Sequence, residues 1–196
     1  MRLGLFGGVF NPPHLGHVVC AQEARIQLEL DEVWLIPVGT PPHKSLENDP
    51  GGELRFEMCR RAIDGQPGLA VSDIEVNRPG LSYSVDTLTV LNEQMHKDEL
   101  FMILGADQAV NIGNWRDPAG IGRIVDIAVV DRDDTEHALV TKAVLAATGK
   151  QPVFVKMPRI DVSSSSVRDA VAAGKTVRHL VAPGVAETIE MKGLYA

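Results

Sequence analysis

His14-Leu15-Gly16-His17 sets two imidazoles three residues apart, directly after the glycine- and proline-rich run Gly7-Gly8-Val9-Phe10-Asn11-Pro12-Pro13. A helix starting near Leu15 would turn both rings toward the same side, where each can donate a hydrogen bond to a phosphate oxygen. Its first turn also presents unpaired backbone N–H groups and the positive end of the helix dipole, which suits an anion. Gly7 and Gly8 carry no side chain to hold a ligand off the backbone. The plain alternative is a glycine turn followed by two surface histidines.

A second cluster lies far along the chain, Asp161-Val162-Ser163-Ser164-Ser165-Ser166-Val167-Arg168. Serines ahead of a helix are natural N-caps, and Ser166 with Asp169 fits a capping box. The same hydroxyls, together with Arg168 and free N–H groups at a helix start, also build an anion site. Between the clusters, Pro41-Pro42-His43-Lys44 puts a cation on a stiff backbone, which is either solvated or in contact with a ligand. Gly39 to Gly52 is too broken by prolines and glycines for a helix and reads as a long loop on the ligand side.

These groups need a scaffold, and the hydrophobic pattern describes one. Short unalternating apolar runs recur at Leu3 to Phe6, Val33 to Ile36, Phe101 to Leu104, Ile127 to Val130 and Val153 to Val155, as expected of strands buried on both faces. Between them, Val18, Ala21, Ala24 and Leu28 step at helical spacing, as do Val85, Leu88, Leu91 and Met95, and Leu139, Ala143, Val144 and Ala147. Glu53 to Ile63 reads as a further helix with Arg55, Arg60 and Arg61 on its wet side. Alternation of strand and helix implies an α/β fold, a parallel sheet with helices on both faces, and ligands beyond the carboxyl ends of the strands. The histidine loop follows the first strand and falls on that side.

The chain has 196 residues, enough for one well-buried core, and no shift in composition marks a boundary, so residues 1–196 read as a single domain. A net charge of -7 argues against a general nucleic-acid binder and leaves an anionic small ligand open. Cys20 and Cys59 have no metal-type spacing and suit a reducing cytoplasm. No run approaches membrane-spanning length, so a cytoplasmic protein without a membrane partner is expected. No pattern fixes the oligomeric state, and a homo-oligomer stays open.

With its two ends taken together, the chain resembles the nucleotidyltransferase superfamily that carries an H-x-G-H signature near the N-terminus and an I-S-S-T-x-x-R type signature near the C-terminus. Within it the sequence is similar to bacterial nicotinate-nucleotide adenylyltransferases. Pro41-Pro42-His43-Lys44, Ser82-Tyr83-Ser84-Val85-Asp86-Thr87-Leu88, Gly105-Ala106-Asp107 followed by Trp115, and Leu194-Tyr195 match that family in order. The resemblance implies a Rossmann-like, doubly wound parallel sheet and transfer of AMP from ATP to nicotinate mononucleotide. The products would be deamido-NAD, for NAD biosynthesis, and pyrophosphate; Mg2+ would arrive with ATP, and no protein metal ligands are implied.

It further implies that His14 and His17 hold the triphosphate and stabilise the transition state, with Arg168 as the third catalytic group. Gly8, Val9 and Phe10 would approach the nucleotide through their backbone, Ser163 and Ser165 would bind ATP phosphates, and Gly105 and Asp107 would face the ribose. Lys44 would meet phosphate, Trp115 would stack on the pyridine ring, and Ser84 with the backbone near Arg116 would meet the nicotinate carboxylate. Without the resemblance, Asp107 reads equally as a helix cap, Trp115 as a core or rim residue, and Ser82 to Ser84 as the cap of the next helix. Val9 stands where a hydroxyl residue is common, Asn11 replaces a frequent aspartate, Ser84 and Ser165 replace threonines and Val162 replaces isoleucine. A pantetheine-phosphate adenylyltransferase, which shares both signatures, and a non-catalytic nucleotide sensor on the same fold are the alternatives.

Overall fold

The computed structural model describes residues 1–42, 48–95, 98–131 and 136–196. All five apolar runs lie in strands: β1 (Arg2–Gly8), β2 (Glu32–Pro37), β4 (Glu99–Gly105), β5 (Asp126–Asp131) and β6 (Val153–Lys156). The pattern does not reveal β3 (Leu69–Val71), three half-buried residues that pair with β2. Every pairing is parallel, and the strands run in the order β3-β2-β1-β4-β5-β6. Leu5 of β1 sits opposite Trp34 on one side and Met102 on the other. The chain winds outward from β1 to β3, then returns to β4 and winds the other way. The crevice between the carboxyl ends of β1 and β4 is therefore the topological switch point, where ligands bind in such sheets.

Both faces are covered, which is why the strands lack polar alternation. Phe6, Leu35, Ile103 and Val130 face α1 (Leu15–Gln27) and α2 (Gly52–Ala62), packing with Ala21, Ala24 and Cys59. Leu5, Ile36, Met102, Leu104 and Val129 face the other way, onto α3 (Ser84–Gln94), α5 (Pro118–Ile124) and α6 (His137–Thr148). Between β4 and α5 the chain forms the short α4 (Ala106–Val110) and a 3-10 turn at Ile112–Asn114. A satellite core of Met58, Val167, Val185 and Ile189 joins α2 to α7 (Ser164–Ala172) and α8 (Pro183–Lys192).

Two expectations on helix faces are corrected. On α6, Leu139 is 49% exposed and the buried stripe is Val140, Val144 and Thr148, because the helix packs one position round from the predicted face. On α2, Arg60 is exposed and Arg61 half-buried, but Arg55 is fully buried. Its guanidinium is taken up by backbone carbonyls that lie far away in sequence. Among the described residues no helix is long and apolar enough to cross a membrane.

Candidate functional site

The first helix begins where expected, with His14 as the N-cap of α1 in extended conformation. The His14 amide donates to Nδ1 of His17 at 3.1 Å, the half of a capping box that a Glu or Gln usually supplies. An Nδ1 that accepts leaves the ring proton on Nε2, so His17 presents an N–H donor at its outer edge. The two imidazoles lie 3.7 Å apart between centroids. Phe10, with φ +52° and a ring only 2% exposed, meets His17 edge-on at 5.0 Å and Phe6 at 5.6 Å. The turn that carries Phe10 thus wedges the catalytic-type ring from below.

Two details differ from the expected loop. A Cβ on Gly8 would stand 2.9 Å from the Phe10 ring, so the missing side chain makes room for that ring; Gly7 is the glycine that faces open space. The opening turn of α1 also offers fewer amides than expected. Leu15 donates to Leu180 O at 3.0 Å and His17 to His14 O at 2.9 Å, which shifts the donor role to the imidazoles.

The serine cluster meets this loop across more than 150 residues of sequence. Ser164 Oγ donates to Pro12 O at 2.8 Å, and Arg168 Nη1 donates to Asn11 O at 2.8 Å while Nη2 reaches Ser165 Oγ at 3.3 Å. Ser163 is the N-cap of α7, and its capping-box partner is Ser166: each hydroxyl accepts the other's amide at 3.0 Å. The expected pairing of Ser166 with Asp169 is one turn too late. Ser163 and Ser165 remain exposed beside the loop.

The closing Tyr195 completes the bracket, its hydroxyl donating to Asn11 Oδ1 at 2.6 Å from a position 9% exposed. Burial pushes the phenol well above its usual range and keeps it a donor. Tyr195→Phe leaves a buried acceptor without that donor. It is expected to lower unfolding free energy by about 1–2 kcal/mol, read from the denaturant midpoint.

A cavity of about 390 Å³ opens beside this bracket at the carboxyl ends of β1 and β4. Gly8, Val9, Ser84, Gly105, Trp115 and Arg116 all line it. Ser84 is the first residue of α3, whose N-cap is Tyr83, within the expected capping stretch Ser82 to Ser84 but with no side-chain cap bond; Ser82 Oγ accepts from the amides of Gly39 and Thr40 at 3.1 and 3.3 Å. Arg116 lies over the Tyr83 ring at 4.7 Å and pairs with Asp86 at 3.3 Å. Gly105 caps α4, so Asp107 is not the helix cap but an exposed residue in its first turn. His14, His17, Ser163, Ser165, Arg168 and Asp107 are not among the residues that line the cavity, and His14 is buried. Lys44 lies outside the described residues.

Two site-forming residues escape the sequence reading. Arg55 donates to Val9 O at 3.0 Å, Val38 O at 2.6 Å and Gly39 O at 3.1 Å, and pairs with Asp49 at 2.8 Å, thereby fixing the cavity wall. Glu75, 8% exposed, lines the cavity and accepts from Thr87 Oγ1 at 2.7 Å. Neither belongs to a short motif. The one available signal was the placement of Glu75 and Arg78 just ahead of the Ser-Tyr-Ser stretch.

A doubly wound sheet with a cavity at its switch point and a histidine, serine and arginine bracket at its rim defines a nucleotide-binding α/β protein. The cytidylyltransferase-like family model matches residues 5–170. A protein of Trichlorobacter lovleyi named "Probable nicotinate-nucleotide adenylyltransferase" is 40% identical over 211 aligned positions, covering 100% of this chain and 99% of the relative. One of the same name from Shouchella clausii is 37% identical, covering 99% and 96%. A solved structure of Plasmodium falciparum nicotinic acid mononucleotide adenylyltransferase complexed with NaAD superposes with a TM-score of 0.81 at 17% identity, over 99% of this chain and 97% of that one. The chain belongs to the cytidylyltransferase-like family and, within it, to the nicotinate-nucleotide adenylyltransferases.

Proposed function

We propose that this protein transfers AMP from ATP to nicotinate mononucleotide, as one nucleotidyltransferase domain of NAD biosynthesis in the cytoplasm. The observation that carries the reading is the His14 amide bond to Nδ1 of His17, which leaves that ring's proton on Nε2, together with the Ser164 and Arg168 bonds that dock the α7 start onto Pro12 and Asn11 of the same loop. The acceptor's phosphate oxygen attacks the α-phosphorus of ATP, the bond from that phosphorus to the bridging oxygen of the β-phosphate breaks, and pyrophosphate leaves. The attacking phosphate is already anionic, so no general base is required. Alignment and stabilisation of charge carry the catalysis, and alignment alone can supply ~7–11 kcal/mol.

In this reading His14 and His17 donate to the triphosphate, and Arg168, Ser163 and Ser165 hold it from the α7 side. The backbone from Gly8 to Phe10 lies along the nucleotide, and Gly105 and Asp107 face the ribose. Lys44 meets phosphate, Trp115 stacks on the pyridine, and Ser84 with the backbone near Arg116 meets its carboxylate. Ring N–H, hydroxyl and guanidinium groups suit phosphate oxygens, and among the described residues no three His, Cys, Asp or Glu side chains are grouped to hold a metal. Magnesium would arrive with ATP and neutralise triphosphate charge there. Buried Cys20 and Cys59 are in keeping with a reducing compartment, and burial pushes the Cys59 thiol up and out of nucleophilic range.

The deciding experiment measures pyrophosphate release with ATP and nicotinate mononucleotide, nicotinamide mononucleotide or phosphopantetheine. Release with the nicotinate form is expected; transfer to phosphopantetheine alone would overturn the assignment. ATP binding without release from any acceptor would make the protein a sensor. Trp115→Ala is expected to raise KM for the mononucleotide about tenfold, the loss of one stacking contact, and to leave KM for ATP within about twofold. An equal rise in both would remove Trp115 from the acceptor side.

A further inference from the structure

Glu75 is an acidic side chain in the wall of a cavity that, on the reading above, takes an anionic pyridine carboxylate. A carboxylate facing that group would repel it and would welcome the N–H groups of a carboxamide. What the Glu75 carboxylate faces is therefore a question of substrate choice. Thr87 Oγ1, itself 3% exposed, donates to Glu75 Oε1 at 2.7 Å. Ser82 Oγ accepts the amides of Gly39 and Thr40, and Ser82 lines the same cavity. The Thr87 bond fixes the direction in which the carboxyl is held. Arg78 adds an attractive field, while burial pushes the Glu75 carboxyl up.

The surroundings leave this side chain little freedom. A Cβ on Gly39 would fall 2.1 Å from the Glu75 carbonyl oxygen, so the β2 exit presses directly on this segment. Thr87 belongs to the opening turns of α3, three residues after the cavity-lining Ser84.

We propose that Glu75 is a specificity-determining residue: the Thr87 hydroxyl holds its carboxylate aside so that the cavity admits the nicotinate form of the mononucleotide, and releasing it turns the preference toward the nicotinamide form. The inference rests on the function proposed above.

The test compares kcat/KM for the two mononucleotides, at saturating ATP, in the unmutated protein and in three variants. Thr87→Val keeps the shape of the side chain and removes one donor. It is expected to lower the nicotinate-to-nicotinamide ratio about tenfold, the scale of a lost hydrogen bond to a charged group, with KM for ATP within about twofold. Thr87→Ser, which keeps the hydroxyl, should hold the ratio within about threefold of the unmutated value. Adding Glu75→Gln to Thr87→Val removes the charge and should return the ratio most of the way. An unchanged ratio in Thr87→Val overturns the proposal, as does a double variant that stays at the Thr87→Val ratio, since a purely structural defect would not be repaired by neutralising Glu75. If the unmutated protein makes no deamido-NAD at all, the functional reading itself has failed; if it does and the ratio does not move, only the role of Glu75 is lost.

Discussion

His17→Ala is expected to lower kcat by about 10²–10³, the range for removing one donor from a developing oxyanion, while KM for ATP changes only a few-fold. The asymmetry follows from geometry. The ring is held by the His14 amide on Nδ1, by the Phe10 edge at 5.0 Å and by the His14 ring at 3.7 Å. Its Nε2–H therefore points in a fixed direction before any ligand arrives, and a pre-aimed donor acts most strongly where charge grows during the reaction. On the proposed function, ground-state ATP would keep its contacts with Arg168 and the serines, so binding should suffer less. Single-turnover rates and ATP affinity measured on the same preparation check this: equal losses in both would assign His17 to binding only.

Arg55→Met is expected to have the largest effect on stability, a loss of about 3–5 kcal/mol, as when one partner of a buried ion pair is removed. Methionine fills similar volume, so the loss reports the polar groups. Three carbonyls, of Val9, Val38 and Gly39, would lose their donor, and Asp49 would lose its partner. Urea unfolding provides the measurement, through the midpoint at constant slope. A midpoint shift worth less than about 1 kcal/mol would mean that water re-satisfies these carbonyls and that Arg55 is dispensable to the cavity wall.

Arg55 also shows where sequence reasoning stops. On α2 it is one of several arginines, and nothing local separates it from exposed Arg60. The carbonyls that draw it inward are 16, 17 and 46 residues away. Glu75 is hidden for the same reason, because its hydroxyl partner Thr87 becomes a neighbour only once α3 docks. By contrast, the five long strands were legible, since burial on both faces writes a continuous apolar run. The short edge strand β3 has no such run, and its half-buried residues leave no periodic trace.

The two phosphate-type clusters were legible because each combines a helix start with donor side chains at short spacing. That they touch, through Arg168 on Asn11 and Ser164 on Pro12, is a property of the doubly wound path. The register of capping was only partly readable: Ser163 and Ser166 cap each other, whereas the pattern also permitted Ser166 with Asp169. A second reason for a glycine at position 8 was not legible, because the Phe10 ring that a Cβ there would meet depends on a left-handed turn at Phe10. Leu139 was assigned to the wrong stripe because alanines on both sides of α6 blur its apolar face.

The bond from Tyr195 to Asn11 spans 184 residues. At ~5–20 residues per second, a ribosome needs roughly 10–40 s to add that much chain. For all that time the histidine loop, among the first segments to emerge, waits for the partners supplied by α7 and Tyr195. The bracket around Asn11 can therefore close only after Tyr195 has been made, long after the loop it holds.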